Sequence, residues 1–206
     1  MIIEVRTYQL KPGSVAEVEK RFGEGLPARE KFSKLAAFWH TEVGPLNEII
    51  HVWAYENFEQ RAAVRKASQE SGAWPPPIRE FIVSMNSEIF VPAPFSPGLE
   101  PRQVGPLFEI RSYTLAPGGI PGLIERWGPK IDERVKLSPL VGAWYSEFGT
   151  LNKWVHIWAY KDASDRQKVR ADAIARGIWP PGGGPAGAML KQENKLVLPA
   201  SFSPLR

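Results

Sequence analysis

Residues 46–55 read LNEIIHVWAY, and residues 151–160 read LNKWVHIWAY. Leu-Asn, a histidine and Trp-Ala-Tyr keep one register while the letters between them drift. The correspondence extends in both directions. Arg6 matches Arg111, Tyr8 matches Tyr113, Pro12-Gly13 match Pro117-Gly118, Trp39 matches Trp144 and His51 matches His156, always 105 positions apart. No gap is needed until Trp74-Pro75-Pro76 has met Trp179-Pro180-Pro181. The second copy then gains two residues in GGGPAGAM, and FSP at 95–97 matches FSP at 202–204. A unit of about 100 residues is too long for a solenoid repeat and suits a duplicated small domain. We place the copies at 1–95 and 108–206 with a linker at 96–107, in the Pro- and Gly-dense stretch PAPFSPGLEPRQVGP at 92–106.

Each copy carries the same order of signals. IIEVRTYQL alternates with period two until LKPGS breaks it, and Ser14 with Glu17 predicts a capping box that opens a helix running to about residue 32. LAAFWHTEV predicts a second strand, Gly44 to Asn47 a turn, and EIIHVWAYE a third strand antiparallel to the second. Asn57, with Asp162 in the other copy, should cap a second helix. IREFIVSMNSEIFVP then supplies a long last strand. The order β-α-β-β-α-β defines an α+β, ferredoxin-like unit: four antiparallel strands with both helices on one sheet face. Two such units in one chain cover their bare faces by packing them together, a two-sheet barrel with helices outside.

Strand parity sorts the side chains into two sets. Ile3, Val5 and Thr7 point one way in the first strand, with Ile50, Val52 and Ala54 in the third; Glu4, Arg6, Tyr8, His51, Trp53 and Tyr55 point the other. Aliphatic bulk suits a helix layer. The charged and aromatic set, with its counterparts Glu109, Arg111, Tyr113, His156, Trp158 and Tyr160, is therefore expected between the sheets.

Composition narrows the function classes. With 43% hydrophobic and 23% charged residues the chain is that of an ordinary globular protein. Its net charge of +4 comes from Lys and Arg interleaved with Asp and Glu, the pattern of a mixed solvated surface and not of a nucleic-acid site. There is no cysteine, which removes disulfides and thiolate chemistry. The first strand begins at once, without room for a signal peptide, and no apolar run is long enough to span a bilayer, so a soluble cytoplasmic protein is expected. No metal site, phosphate loop, nucleophile elbow or dinucleotide fingerprint is present, and no cofactor is expected.

His51 and His156 are the candidates for acid-base work, since imidazole titrates near neutrality; the alternative is a histidine satisfied by Glu4 or Glu109 across the sheet. Arg6 and Arg111 can hold a carboxylate or phosphate through the guanidinium fork, or form a buried ion pair with Glu4, Glu42 or their counterparts. Tyr8, Tyr55, Tyr113 and Tyr160 stand beside them. Trp53, Trp158, Trp39 and Trp144 can stack on a flat ligand or fill core. The Trp-Pro-Pro loops can rim a cleft or pin themselves to a helix.

The E-V-R-x-Y-x-L-x-P-G first strand, the strand with Trp and the G-x-L-N-x-x-x-H-x-W-x-Y hairpin, followed by a helix carrying two arginines, together resemble the NIPSNAP family, over both copies. The resemblance implies the dimeric α/β-barrel variant of the ferredoxin-like fold. Eukaryotic members are associated with mitochondria, membrane traffic and mitophagy signalling, and the family has no agreed catalytic residues. Related barrels include cofactor-free monooxygenases, isomerases and haem enzymes. The expected function is binding of a small aromatic or acidic molecule in a cleft between the sheets, with acid-base, oxygenase or isomerase chemistry open. The alternative is a non-catalytic adaptor. A homodimer of the whole chain is a further expectation.

Overall fold

The computed structural model describes residues 1–72 and 74–206. The elements follow the expected order twice. The first half runs β1 (Ile2–Leu10), α1 (Val15–Arg29), β2 (Leu35–Val43), β3 (Glu48–Tyr55), α2 (Phe58–Glu70) and β4 (Ile82–Pro92). The second runs β5 (Leu107–Leu115), α3 (Gly119–Val135), β6 (Leu140–Phe148), β7 (Lys153–Tyr160), α4 (Ala163–Ala175) and β8 (Met189–Pro199). The eight strands close one antiparallel barrel in the order β1-β3-β2-β8-β5-β7-β6-β4. Each half contributes a four-stranded sheet, and the halves join at two seams. At one, Trp39 of β2 faces Pro199 of β8; at the other, Pro92 of β4 faces Trp144 of β6. Closure pairs each half's outer strands with the other half's, removing edges that two open sheets would expose.

Local chemistry explains the retained turn letters. Asn47 and Asn152 adopt left-handed backbone, at φ 59° and 55°, in the β2–β3 and β6–β7 hairpins. Asparagine tolerates that conformation better than other side-chain-bearing residues. The helix caps follow prediction in part. Asn57 Oδ1 accepts from the Gln60 N–H at 2.8 Å and Asp162 Oδ1 from the Asp165 N–H at 2.7 Å. The capping box at Ser14 does not form: its hydroxyl donates to the Lys11 carbonyl at 2.6 Å, and α1 ends at Arg29, short of residue 32.

The strand parity is as expected, but the faces are exchanged. Ile3, Ile50, Val52, Trp39 and Phe90 meet Phe108, Ile110, Val141, Trp144 and Ile157 inside the barrel. Tyr8, Phe38, Trp53 and Tyr55 lie on the opposite face, packed against Val18, Phe22 and Leu26 of α1. The reason is solvation. The barrel interior is walled by strands all round, so groups there must be apolar or paired. The helix layer is interrupted: α2 carries a polar sequence and buries little, leaving room for charged groups beneath it. Among the described residues no chamber shared by the two halves collects the histidines and arginines; Arg6 and His51 line a cavity of the first half, and Arg111 lines one of the second.

Candidate functional site

In the N-terminal half the polar face of β1 and β3 forms the floor of a cavity of about 350 Å³. Phe22 and Arg29 of α1, with Arg65 and Ser68 of α2, overhang it. Trp74, Pro75 and Pro76 form a rim. Arg6, Tyr8, His51, Trp53 and Tyr55 all line it.

Glu4 anchors the floor. Fully buried, its Oε1 accepts from Arg6 Nη1 at 2.8 Å, Arg61 Nη2 at 2.7 Å and Ser87 Oγ at 2.7 Å. Burial alone would raise its pKa, but the hydrogen bonds from Arg61 and Ser87 and the Arg6 charge prevail, holding the carboxyl at about 2. Arg6 Nε donates to the Tyr8 hydroxyl at 2.8 Å. The Arg6–Glu4 pair lies within one strand, so it orients side chains and leaves sheet register to other contacts; Glu42 takes no part.

His51 is not satisfied by Glu4. Its Nδ1 accepts the Trp53 indole N–H at 2.7 Å. An indole nitrogen only donates, so Nδ1 is bare and the ring hydrogen sits on Nε2, which has no partner among the described residues. Burial, followed by the Arg6 charge, lowers the imidazole to about 3. His51 is thus a neutral donor at physiological pH, with its one lone pair engaged, and as such is not placed to take a proton.

Arg29 was not foreseen from the sequence. It is buried, with Nη2 donating to the Tyr55 hydroxyl at 3.2 Å and the guanidinium 4.4 Å from the Trp53 ring centroid and 6.0 Å from that of Trp74. Nη1 has no partner, and no carboxylate pairs with Arg29 among the described residues. Burial lowers its pKa, the signature of a cation short of counter-charge. A signal existed: Val18, Phe22, Leu26 and Arg29 form one helical stripe, with Arg29 at a core position.

The second half repeats the network. Glu109 accepts from Arg111, Arg166 and Asn194, the last in place of Ser87; Trp158 donates to His156 Nδ1 at 2.7 Å; Arg134 bonds Tyr160 and lies 4.0 Å from the Trp158 ring. One exchange alters the site. Trp127 occupies the place of Phe22, its ring 4.8 Å from that of His156 and 4.4 Å from that of Trp179. The resulting cavity, about 470 Å³, is lined by Arg111, Tyr113, Arg126, Arg134 and Arg170 but does not reach His156, Trp158 or Tyr160. The expected residues therefore divide: five line one cavity, two line another, and His156, Trp158 and Tyr160 line neither. Trp39 and Trp144 belong to neither; they lie in the barrel interior beside a separate cavity of about 310 Å³.

A closed barrel of two ferredoxin-like sheets with helices outside defines the dimeric α/β-barrel class, here within a single chain. The same architecture occurs in a putative monooxygenase from Lactobacillus acidophilus. That structure superposes with a TM-score of 0.69 over 97% of this chain and 94% of its own at 7% identity, a likeness of fold alone. The NIPSNAP family model matches residues 3–97 and 108–204. Human NipSnap homolog 3B is 30% identical over 98% of this chain and 85% of its own length, and a NipSnap homolog of Dictyostelium discoideum is 27% identical over 98% and 88%. The chain belongs to the NIPSNAP family, with its domain present twice in tandem. Among the described residues no helix is long and apolar enough to cross a membrane.

Proposed function

We propose that this protein binds a small organic anion with a flat apolar body in the N-terminal half, between the sheet and helices α1 and α2. The observation that carries this reading is Arg29, a buried guanidinium with a free Nη1 and no acidic partner, on the wall of an aromatic cavity. A buried charge left unpaired costs several kcal/mol, and an anionic ligand would supply the missing partner. Trp53 and Trp74 offer faces to a planar body, and the Nε2–H of His51 offers a hydrogen bond to its oxygen. Arg6, Tyr8 and Tyr55 hold the floor, and Arg65 and Arg79, unpaired among the described residues, add positive potential at the mouth. The second half takes an anion through Arg111, Arg126, Arg134 and Arg170 with less aromatic wall, because Trp127 occupies it. The role for His51 and His156 that fits is donation to an oxyanion, not general-base catalysis.

Calorimetric titration with 2-naphthoate tests the proposal. Wild type should bind it, while neutral 2-naphthalenemethanol should bind at least about 10-fold more weakly, and Arg29→Met should lose a similar factor, since a hydrogen bond to a charged group contributes about 1.5–3 kcal/mol. Equal binding of both compounds, or an unaffected Arg29→Met, would reject the anion site.

A further inference from the structure

Four charged residues beside the central barrel cavity have been exchanged in sign between the copies. Glu48 on β3 and Lys153 on β7 are equivalent: Glu48 faces Gln9 of β1, and Lys153 faces Thr114 of β5. Glu88 on β4 and Lys195 on β8 are equivalent too, facing Val5 and Ile110. Both positions are acidic in the first half and basic in the second. They meet across the seams. Lys153 Nζ lies 2.7 Å from Glu88 Oε2, and Lys195 Nζ 2.5 Å from Glu48 Oε2, with the four side chains only 12–23% exposed.

We infer that these residues dictate the partner of each half: a first-half sheet accepts a second-half sheet and rejects another copy of itself. The barrel is pseudo-twofold, so two first halves closing together would bring Glu48 against Glu88 at both seams, and two second halves would bring Lys153 against Lys195 twice. Like charges at that distance and burial repel strongly, whereas the mixed pairing satisfies all four groups. Elsewhere the seams carry main-chain ladders, the Phe58–Phe148 ring contact, and Phe38 and Ala143 N–H groups donated to the Ser203 and Ser96 hydroxyls, none of which sets like charge against like in a mismatched barrel. The interface is thereby coded for the mixed barrel, which keeps the Phe22 pocket and the Trp127 pocket together in one molecule.

The test uses full chains. Glu48→Lys/Glu88→Lys makes every seam charge basic, and Lys153→Glu/Lys195→Glu makes every one acidic. Each double variant should melt on the order of 10 °C below wild type, and the quadruple variant, which restores opposite signs in reversed places, should recover most of that loss. Co-refolding the two double variants in equal amounts should give a complex of two chains, in which each half of one pairs with the opposite half of the other. Double variants as stable as wild type, a quadruple variant no better than the doubles, or a mixture that forms no 1:1 complex would each overturn the inference.

Discussion

Two buried charges in the N-terminal half make opposite predictions. Glu4 is shared by Arg6 and Arg61, and Glu4→Gln strands both guanidinium groups; urea denaturation should show a loss of about 3 kcal/mol. Arg29 has no acid to strand. Arg29→Met should not destabilise the protein and should raise its stability by up to about 4 kcal/mol, because an apolar chain of similar length replaces a poorly compensated cation. The histidines set the pH response. His51 falls from the ordinary 6.5 to about 3 in the folded chain, and His156 is lowered as well by burial and by Arg111. Stability from such groups is complete above pH 6.5 and is lost as pH falls from there toward 3. Glu4 adds its own loss only below its ordinary 4.5. His40, raised by the hydrogen bond its ring donates to Glu19, acts in the other direction and offsets part of the effect. Unfolding free energies from urea titration should therefore fall between pH 7 and pH 5, by up to about 1.4 kcal/mol per pH unit for each buried histidine, and the double variant His51→Asn/His156→Asn should flatten the slope. The sequence revealed these residues as a retained set. It did not show that the Trp53 indole, two residues along the same strand, takes the lone pair that would have made His51 a base.

The elements were legible because their signals are local. Period-two alternation, the Asn57 and Asp162 caps and the Gly–Asn turns each depend on a few neighbouring residues. Which face of β1 and β3 points inward depends on a partner sheet and on how well the helices seal the other side. Aliphatic residues suit either surface, so Ile3, Val5, Ile50 and Val52 carried no decision between them. What decides is that Glu4 and Arg6 on this face meet Arg61 of α2 and Ser87 of β4, where the helix layer is incomplete. At this scale the difference between α1 and α3 is testable. Phe22→Trp should fill part of the first cavity, as the larger Trp127 ring stands against His156 in the second half, weakening 2-naphthoate binding at least about 10-fold with little change in melting temperature. Trp127→Phe should extend the second cavity toward His156, detectable in calorimetry as tighter 2-naphthoate binding by the second half.

At the scale of the whole molecule, duplication has produced a barrel whose halves share a fold and differ in their cavities. The 105-residue repeat and the bare sheet faces were enough to anticipate closure. The location of the site was not, because a polar strand face can be buried by another sheet or by an incomplete helix layer, and the strand sequence is the same in both cases. The ligand is expected under α1 and α2, outside the barrel wall. A crystal structure of the protein with 2-naphthoate tests this most directly. The carboxylate should lie beside Arg29, with the rings in the cavity rimmed by Trp74, Pro75 and Pro76. Density for the ligand inside the barrel between Trp39 and Trp144, with the cavity at Arg29 empty, would contradict it.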